Sequence, residues 1–230
     1  MKVLVIDVGG THVKLLTTGH KSHLLFDSGP AMTAKKMVAE VKRATAKAGW
    51  KYEAISMGYP APVMHNHPIL EPYNLACGWV GFNFHRAFGV PVKILNDAAM
   101  QAVGSYKGGR MLFLGLGTGL GSALIVDSAV EPMELAHLPY KKGRTYEDYV
   151  GLKGLKRLGR KKWRKEVAAV VELLKRATQP DYVVLGGGNA RLMKKLPPNT
   201  ILGDNNNAFR SGFRLWQNIK TSPKRKRFLH

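Results

Sequence analysis

Short apolar runs separated by glycine-rich turns occur twice along this chain, once in each half. Residues 3–6 and 13–16 are apolar and flank Asp7-Val8-Gly9-Gly10-Thr11, a pattern that predicts a tight hairpin. Residues 24–26 would add a third antiparallel strand. From residue 33 to 48 the spacing turns helical: Met37, Val38 and Val41 share one face, Thr33 is placed as N-cap, and Gly49 stops the helix. A short strand at 54–57 leads into residues 59–80, rich in Pro, His, Asn and Gly. That predicts a long ordered loop, and such loops usually carry function. A helix over 82–88, a strand over 92–95 and a helix over 97–106, opened by Asn96-Asp97, complete the first half.

The pattern then restarts. Residues 111–116 and 122–126 flank Gly115-Leu116-Gly117-Thr118-Gly119 as a second hairpin. Residues 130–143 read as irregular. Residues 146–158 read as helical material interrupted by Gly151 and Gly154, followed by a stronger helix over 160–177 with the stripe Trp163, Val167, Val170, Val171 and Leu174. A buried strand over 182–185 precedes Gly186-Gly187-Gly188, and a last helix covers 207–216. The expectation is an α/β protein of two units, 1–108 and 109–219, meeting near Lys107-Gly108-Gly109, with helices flanking central sheets. A basic tail over 220–230, with Lys224-Arg225-Lys226-Arg227, is expected to be disordered.

Composition narrows the function classes. The 230 residues are 45% hydrophobic and 22% charged, which fits a globular chain rather than a disordered one. No apolar run reaches the ~18 residues of a membrane span, so no membrane association is expected. The first apolar run is short and ends in an acid and two glycines, unlike a secretory leader. A lone Cys77 excludes an internal disulfide and a multi-cysteine metal site, and cytoplasm is the expected compartment. The net charge of +21 points to a polyanion: nucleic acid, an anionic membrane or a phosphate polymer. Eleven basic residues against three acidic ones fall between Lys141 and Val167. Arg160, Lys161, Arg164 and Lys165 cannot share the apolar stripe there, so they line its flanks, either as a plain solvated face or as phosphate contacts.

The turns suggest chemistry. A concave run of free backbone N–H groups cradles anions, and glycine admits phosphate without a Cβ in the way. The first turn is neither a dinucleotide-binding fingerprint nor a Walker loop, because a strand follows it and no Gly-Lys-Ser/Thr does. Asp7 ends a strand, where it would suit a hydrated Mg²⁺, and Thr11 would offer a hydroxyl. The plainer alternative is an ordinary hairpin. Asp97 follows a buried strand and opens a helix, where an open α/β sheet presents its ligand. It would accept a proton from a substrate hydroxyl, or merely sit at a helix start. Glu134 and His137 suit vicinal hydroxyls, or form a solvated loop pair; Glu147 is equally explained as an acid in a first helical turn. His65 and His67 lack a third ligand nearby in sequence, which favours a surface or lid role over metal binding.

The order Asp7-x-Gly9-Gly10-Thr11, Gly58-x-Pro60, Asn74-Leu75, Asn96-Asp97-Ala98, Gly117-Thr118-Gly119, Glu134-x-x-His137 and Gly186-Gly187-Gly188 resembles the ROK family of sugar kinases, and within it the polyphosphate-using glucokinases. The resemblance implies an actin-like, hexokinase-type (ribonuclease H-like) fold with two α/β domains around a central cleft. It implies phosphoryl transfer from polyphosphate or ATP to the 6-hydroxyl of glucose or a related hexose, with Asp97 as base. Sugar contacts carry over to Asn96, Asp97, Glu134, His137 and Glu147. Phosphate contacts carry over to Asp7, Gly9, Gly10, Thr11, Lys14, Gly117, Thr118 and Gly119, with Gly187 and Gly188 on the nucleotide side and Mg²⁺ held near Asp7, mainly through water. Homodimers are common in that family, and the sequence leaves the oligomeric state open. The chain departs from the family pattern at Met133-Glu134-Leu135-Ala136-His137, where Gly-Glu-x-Gly-His is usual, and it lacks the C-x-C-G-x-x-G-C zinc motif, so no zinc is expected. It begins at its first strand without a helix-turn-helix, which argues against a repressor and against nucleic acid as partner. The competing class is a non-catalytic polyanion-binding protein on a kinase scaffold.

Overall fold

The computed structural model describes residues 1–203, 207–217 and 220–221. β1 (Val3–Val8) pairs antiparallel with β2 (His12–Thr17), which pairs with β3 (Leu24–Asp27). α1 (Ala34–Lys47) is capped as its sequence predicts, with the Thr33 side chain accepting the Lys36 N–H. β4 (Ala54–Tyr59) lies parallel to β1, and the loop that follows carries only a two-residue hairpin, β5 (Val63–Met64) with β6 (His67–Pro68). That loop is ordered by the Glu71 carboxylate, which accepts the N–H groups of Gly78, Trp79 and Val80. α2 (Phe84–Phe88), β7 (Val92–Asn96) and α3 (Asp97–Ser105) follow. The first sheet therefore runs β3-β2-β1-β4-β7.

The second half repeats the plan. β8 (Arg110–Leu116) and β9 (Leu120–Val126) form the hairpin and β10 (Ala129–Met133) extends it. β11 (Pro139–Lys141) and β12 (Arg144–Thr145) make a small separate ribbon before α4 (Tyr146–Val150) and α5 (Leu152–Thr178). β13 (Tyr182–Gly186) and β14 (Thr200–Leu202) add parallel strands beside β8, α6 (Asn207–Arg214) follows, and β15 (Lys220–Thr221) pairs with Ala129 and Val130. Apart from β15, the second sheet, β10-β9-β8-β13-β14, has the order of the first.

The structure differs from the sequence reading at three places. Residues 130–143 hold strands rather than irregular chain; Pro132 is tolerated because β10 lies toward the sheet edge, where a missing N–H costs little. Of the two interruptions expected in the helical stretch, Gly151 is extended and separates α4 from α5, but Gly154 lies inside α5 against the Tyr149 carbonyl; non-helical Gly159, with φ +70°, falls between the expected stretches 146–158 and 160–177. The last helix, expected within the second unit, packs against α3, β1 and β4 of the first half. The expected disordered tail falls, from residue 222 on, outside the described residues. Among the described residues no helix is long and apolar enough to cross a membrane.

Buried Ser56 ties α6 down. Its hydroxyl donates to the Gly212 carbonyl at 2.6 Å and accepts from Trp216 Nε1 at 2.9 Å. Ser56→Ala strips partners from both groups, so a loss of about 1–3 kcal/mol is expected. Urea unfolding would check it; unchanged stability would mean that water replaces the hydroxyl.

Candidate active site

Strand register brings the acids together. In the parallel array Asp7 is paired with Gly58, and Gly58 with Leu95, so the ends of β1, β4 and β7 lie side by side. Asn96 then caps α3, its Oδ1 accepting the Ala99 N–H at 2.8 Å, which starts the helix at Asp97. A Cβ on Gly58 would lie 3.6 Å from Asp7 Oδ1 and 3.8 Å from Asp97 Oδ1. Two carboxylates thus flank one stretch of backbone kept bare of side chain.

Asp97 lines two cavities. The first, about 260 Å³, also holds Glu134, His137, Glu147, Gly117, Gly119 and Gly187 at its walls. The second, about 320 Å³, holds Asp7, Gly9, Met100, Gln101, Gly187 and Gly188. By surface area Asp97 is open to the cleft, yet protein surrounds it at longer range. Desolvation there, and then the nearby Asp7 carboxylate, push its carboxyl up to about 8. Asp7 is also raised, by burial, against a lowering pull from Lys14, its register partner on β2. Glu134 is raised by partial enclosure, lowered by His137 and raised again by Glu147.

The second glycine turn is braced from three sides. The Asn189 amide N–H donates to the Leu116 carbonyl at 2.9 Å and its Nδ2 to the Gly117 carbonyl at 3.0 Å. Leu152 N–H at the head of α5 donates to the Thr118 carbonyl at 3.1 Å. The Leu120 N–H donates to Glu147 Oε2 at 3.2 Å, and a Cβ on Gly119 would collide with that carboxylate. Glu147 therefore does more than occupy a first helical turn: it fixes the turn while facing the cavity.

Most of the expected residues converge, but not all. Thr11, Lys14 and Thr118 are exposed, and none of the three lines either cavity. Gly10 is packed against Asn74, whose Cβ would be 3.0 Å from an added Cβ. Asn96 is buried with its oxygen committed to the cap, which leaves its Nδ2 as donor. Gln101 lines both cavities and was not expected; its spacing four residues after Asp97 on a helix was the available signal. Gly121 was also missed: a Cβ there would lie 2.8 Å from Ala98 Cβ. It lets the second hairpin approach the head of α3.

Known proteins resemble this chain in both sequence and fold. The ROK family model matches residues 3–131. A polyphosphate glucokinase of Mycobacterium tuberculosis is 30% identical over 217 residues, spanning 84% of this chain and 80% of that protein. Among solved structures, the inorganic polyphosphate/ATP-glucomannokinase of Arthrobacter sp. strain KM superposes with a TM-score of 0.73 at 20% identity, covering 93% of this chain and 97% of that one. A ROK family glucokinase of Streptomyces griseus, solved with glucose and AMPPNP, gives 0.65 at 16% identity over 88% and 94%. The fold is therefore of the actin-like, hexokinase type. With a family model spanning more than half of its length and a relative at 30% identity, this protein belongs to the ROK family.

Proposed function

We propose that this protein is a sugar kinase that moves a phosphoryl group from polyphosphate or ATP to the 6-hydroxyl of glucose or a related hexose. The observation that carries this reading is that Asp97 alone of the acids lines both cavities, the one walled by Glu134, His137 and Glu147 and the one walled by both aspartates and three glycines. Carboxylates and an imidazole suit vicinal hydroxyls, and about 260 Å³ suits a small polyhydroxylated molecule rather than a larger ligand. Bare glycine backbone suits phosphate. In this arrangement the sugar hydroxyl sits against Asp97, which takes its proton as the oxygen attacks phosphorus. The bond from phosphorus to the donor's bridging oxygen breaks, and the shortened donor leaves through the second cavity. A carboxyl raised toward neutral pH is the better base for a hydroxyl.

Asp7, across Gly58 from Asp97, has the oxygen chemistry that suits a hydrated Mg²⁺; among the described residues no group of three or more acids, His or Cys forms a protein cage, so donor oxygens and water would fill the remainder and leave Asp97 free as the base. When bound, the ion would offset donor charge. Relatives named for polyphosphate and ATP use support both donors as candidates. The test is a coupled assay with Mg²⁺, glucose and either donor in parallel. Formation of glucose 6-phosphate, stopped by EDTA, is the expected result. Absence of product with both donors across glucose, mannose, fructose and N-acetylglucosamine would end the kinase reading in favour of a binding protein.

A further inference from the structure

A third cavity, about 500 Å³, opens between the far end of α3, the end of β14 and α6. Lys107, Arg210 and Arg214 line it, together with Ser105 and Gly203, and among the described residues no acid does. Arg214 is already committed: its guanidinium donates to the carbonyls of Val103, Gly104 and Tyr106 at 2.9–3.2 Å. Those carbonyls are the negative end of α3, which would otherwise repel an anion. With that end neutralised, Lys107 and Arg210, which form no ion pair among the described residues, set the cavity's charge.

This cavity adjoins the donor side of the cleft. Gly186 ends β13 and Gly203 follows β14, adjacent parallel strands whose carboxyl ends are where such sheets receive ligands. A Cβ on Gly203 would lie 3.6 Å from Gly186 Cα and 3.3 Å from Ser105 Oγ; one on Gly186 would lie 3.3 Å from Gln101 Oε1. Gln101 lines the cleft and Ser105 lines the basic cavity, so the two spaces lie one helical turn apart along α3, with Gly186, Gly203 and the side chains of Phe113 and Val184 packed beside them. Asp97, Gln101 and Ser105 recur every four residues on α3, a span of about 12 Å.

The geometry points to a second anion subsite in this cavity, one that takes the distal phosphates of a polyphosphate chain whose end lies at Asp97. It deepens the kinase reading above and rests on it for the position of the chain's end. A nucleotide has one short phosphate run and then an uncharged base; a phosphate polymer keeps presenting charge at the distance where Lys107 and Arg210 stand.

The test measures equilibrium binding of long-chain polyphosphate and of tripolyphosphate to the wild type and to Lys107→Ala/Arg210→Ala, two exposed positions. The wild type is expected to bind the long chain more tightly, and the double variant to lose about tenfold or more for the long chain only. A glucose-induced thermal shift shared by both proteins would show that the variant is folded. Equal long-chain affinity in the two proteins overturns the subsite, as does an equal loss of ATP affinity, which would make it a nucleotide pocket. Single-stranded DNA competing as well as polyphosphate also overturns it, as mere surface charge. If the long-chain preference and its loss are seen but no sugar is phosphorylated, the subsite stands and the kinase reading fails.

Discussion

Asp97→Asn is expected to lower turnover by about 10²–10⁴-fold or more, the contribution of a positioned base, while a glucose-induced thermal shift survives. Asparagine keeps the shape and can still touch a sugar hydroxyl, but it cannot take the proton. Near-normal turnover in this variant would remove Asp97 from the mechanism. The substitution should also change stability with a distinctive pH dependence. In the folded protein the Asp97 carboxyl is pushed up to about 8 from an ordinary value of 3.8. A raised carboxyl favours the protonated native state, so its stabilising contribution is complete below the unfolded value and is lost as pH rises through the folded one. Between about pH 4 and 8 the wild type should therefore lose stability relative to Asp97→Asn, which does not titrate. Melting temperatures measured in EDTA should coincide near pH 4 and separate by pH 8, the variant melting higher. Parallel curves would show that the open cleft solvates Asp97 like any surface aspartate.

What the sequence made legible was what lies close along the chain. Thr33 and Asn96 act as helix caps within three residues of their partners, and the two glycine turns follow from their flanking strands. The acids of the site could be picked out, but not the reason they converge. Gly58 matters because it stands between Asp7 and Asp97, and that depends on register across three strands distant in sequence. Gly121 matters through Ala98, across the two halves. A last helix over 207–216 was legible, but not which sheet receives it; the hydroxyl of Ser56, 156 residues from Gly212, decides that. Pro132 hid β10 because a proline argues against a strand unless its edge position is known.

Among the glycines that line the two cavities, Gly187→Ala should cost the most. Gly187 holds φ +79°, and an added Cβ would stand 2.6–2.8 Å from the O, C and N atoms of Leu116. The left-handed conformation alone costs an alanine roughly 1–2 kcal/mol. The collision adds to this because backbone of β8 cannot rotate aside as a side chain can. Gly119 makes the contrast: its Cβ would meet only the Glu147 carboxylate, a flexible end that can swing away at the expense of one hydrogen bond. In Gly187→Ala the loop after β13 must lift off Leu116, breaking the bonds from Asn189 to Leu116 and Gly117. Gly187 lines both cavities, so the shift would separate the groups at the two ends of the transfer. A displacement near 1 Å can cost about 10²-fold in rate, so a loss of that order is expected together with a lower melting temperature. Gly188→Ala is the matching control, since a Cβ there meets nothing within 4 Å and should leave the melting temperature unchanged. If Gly187→Ala matched the wild type in both rate and melting temperature, the contact between this loop and the second glycine turn could not be what closes the donor side of the cleft.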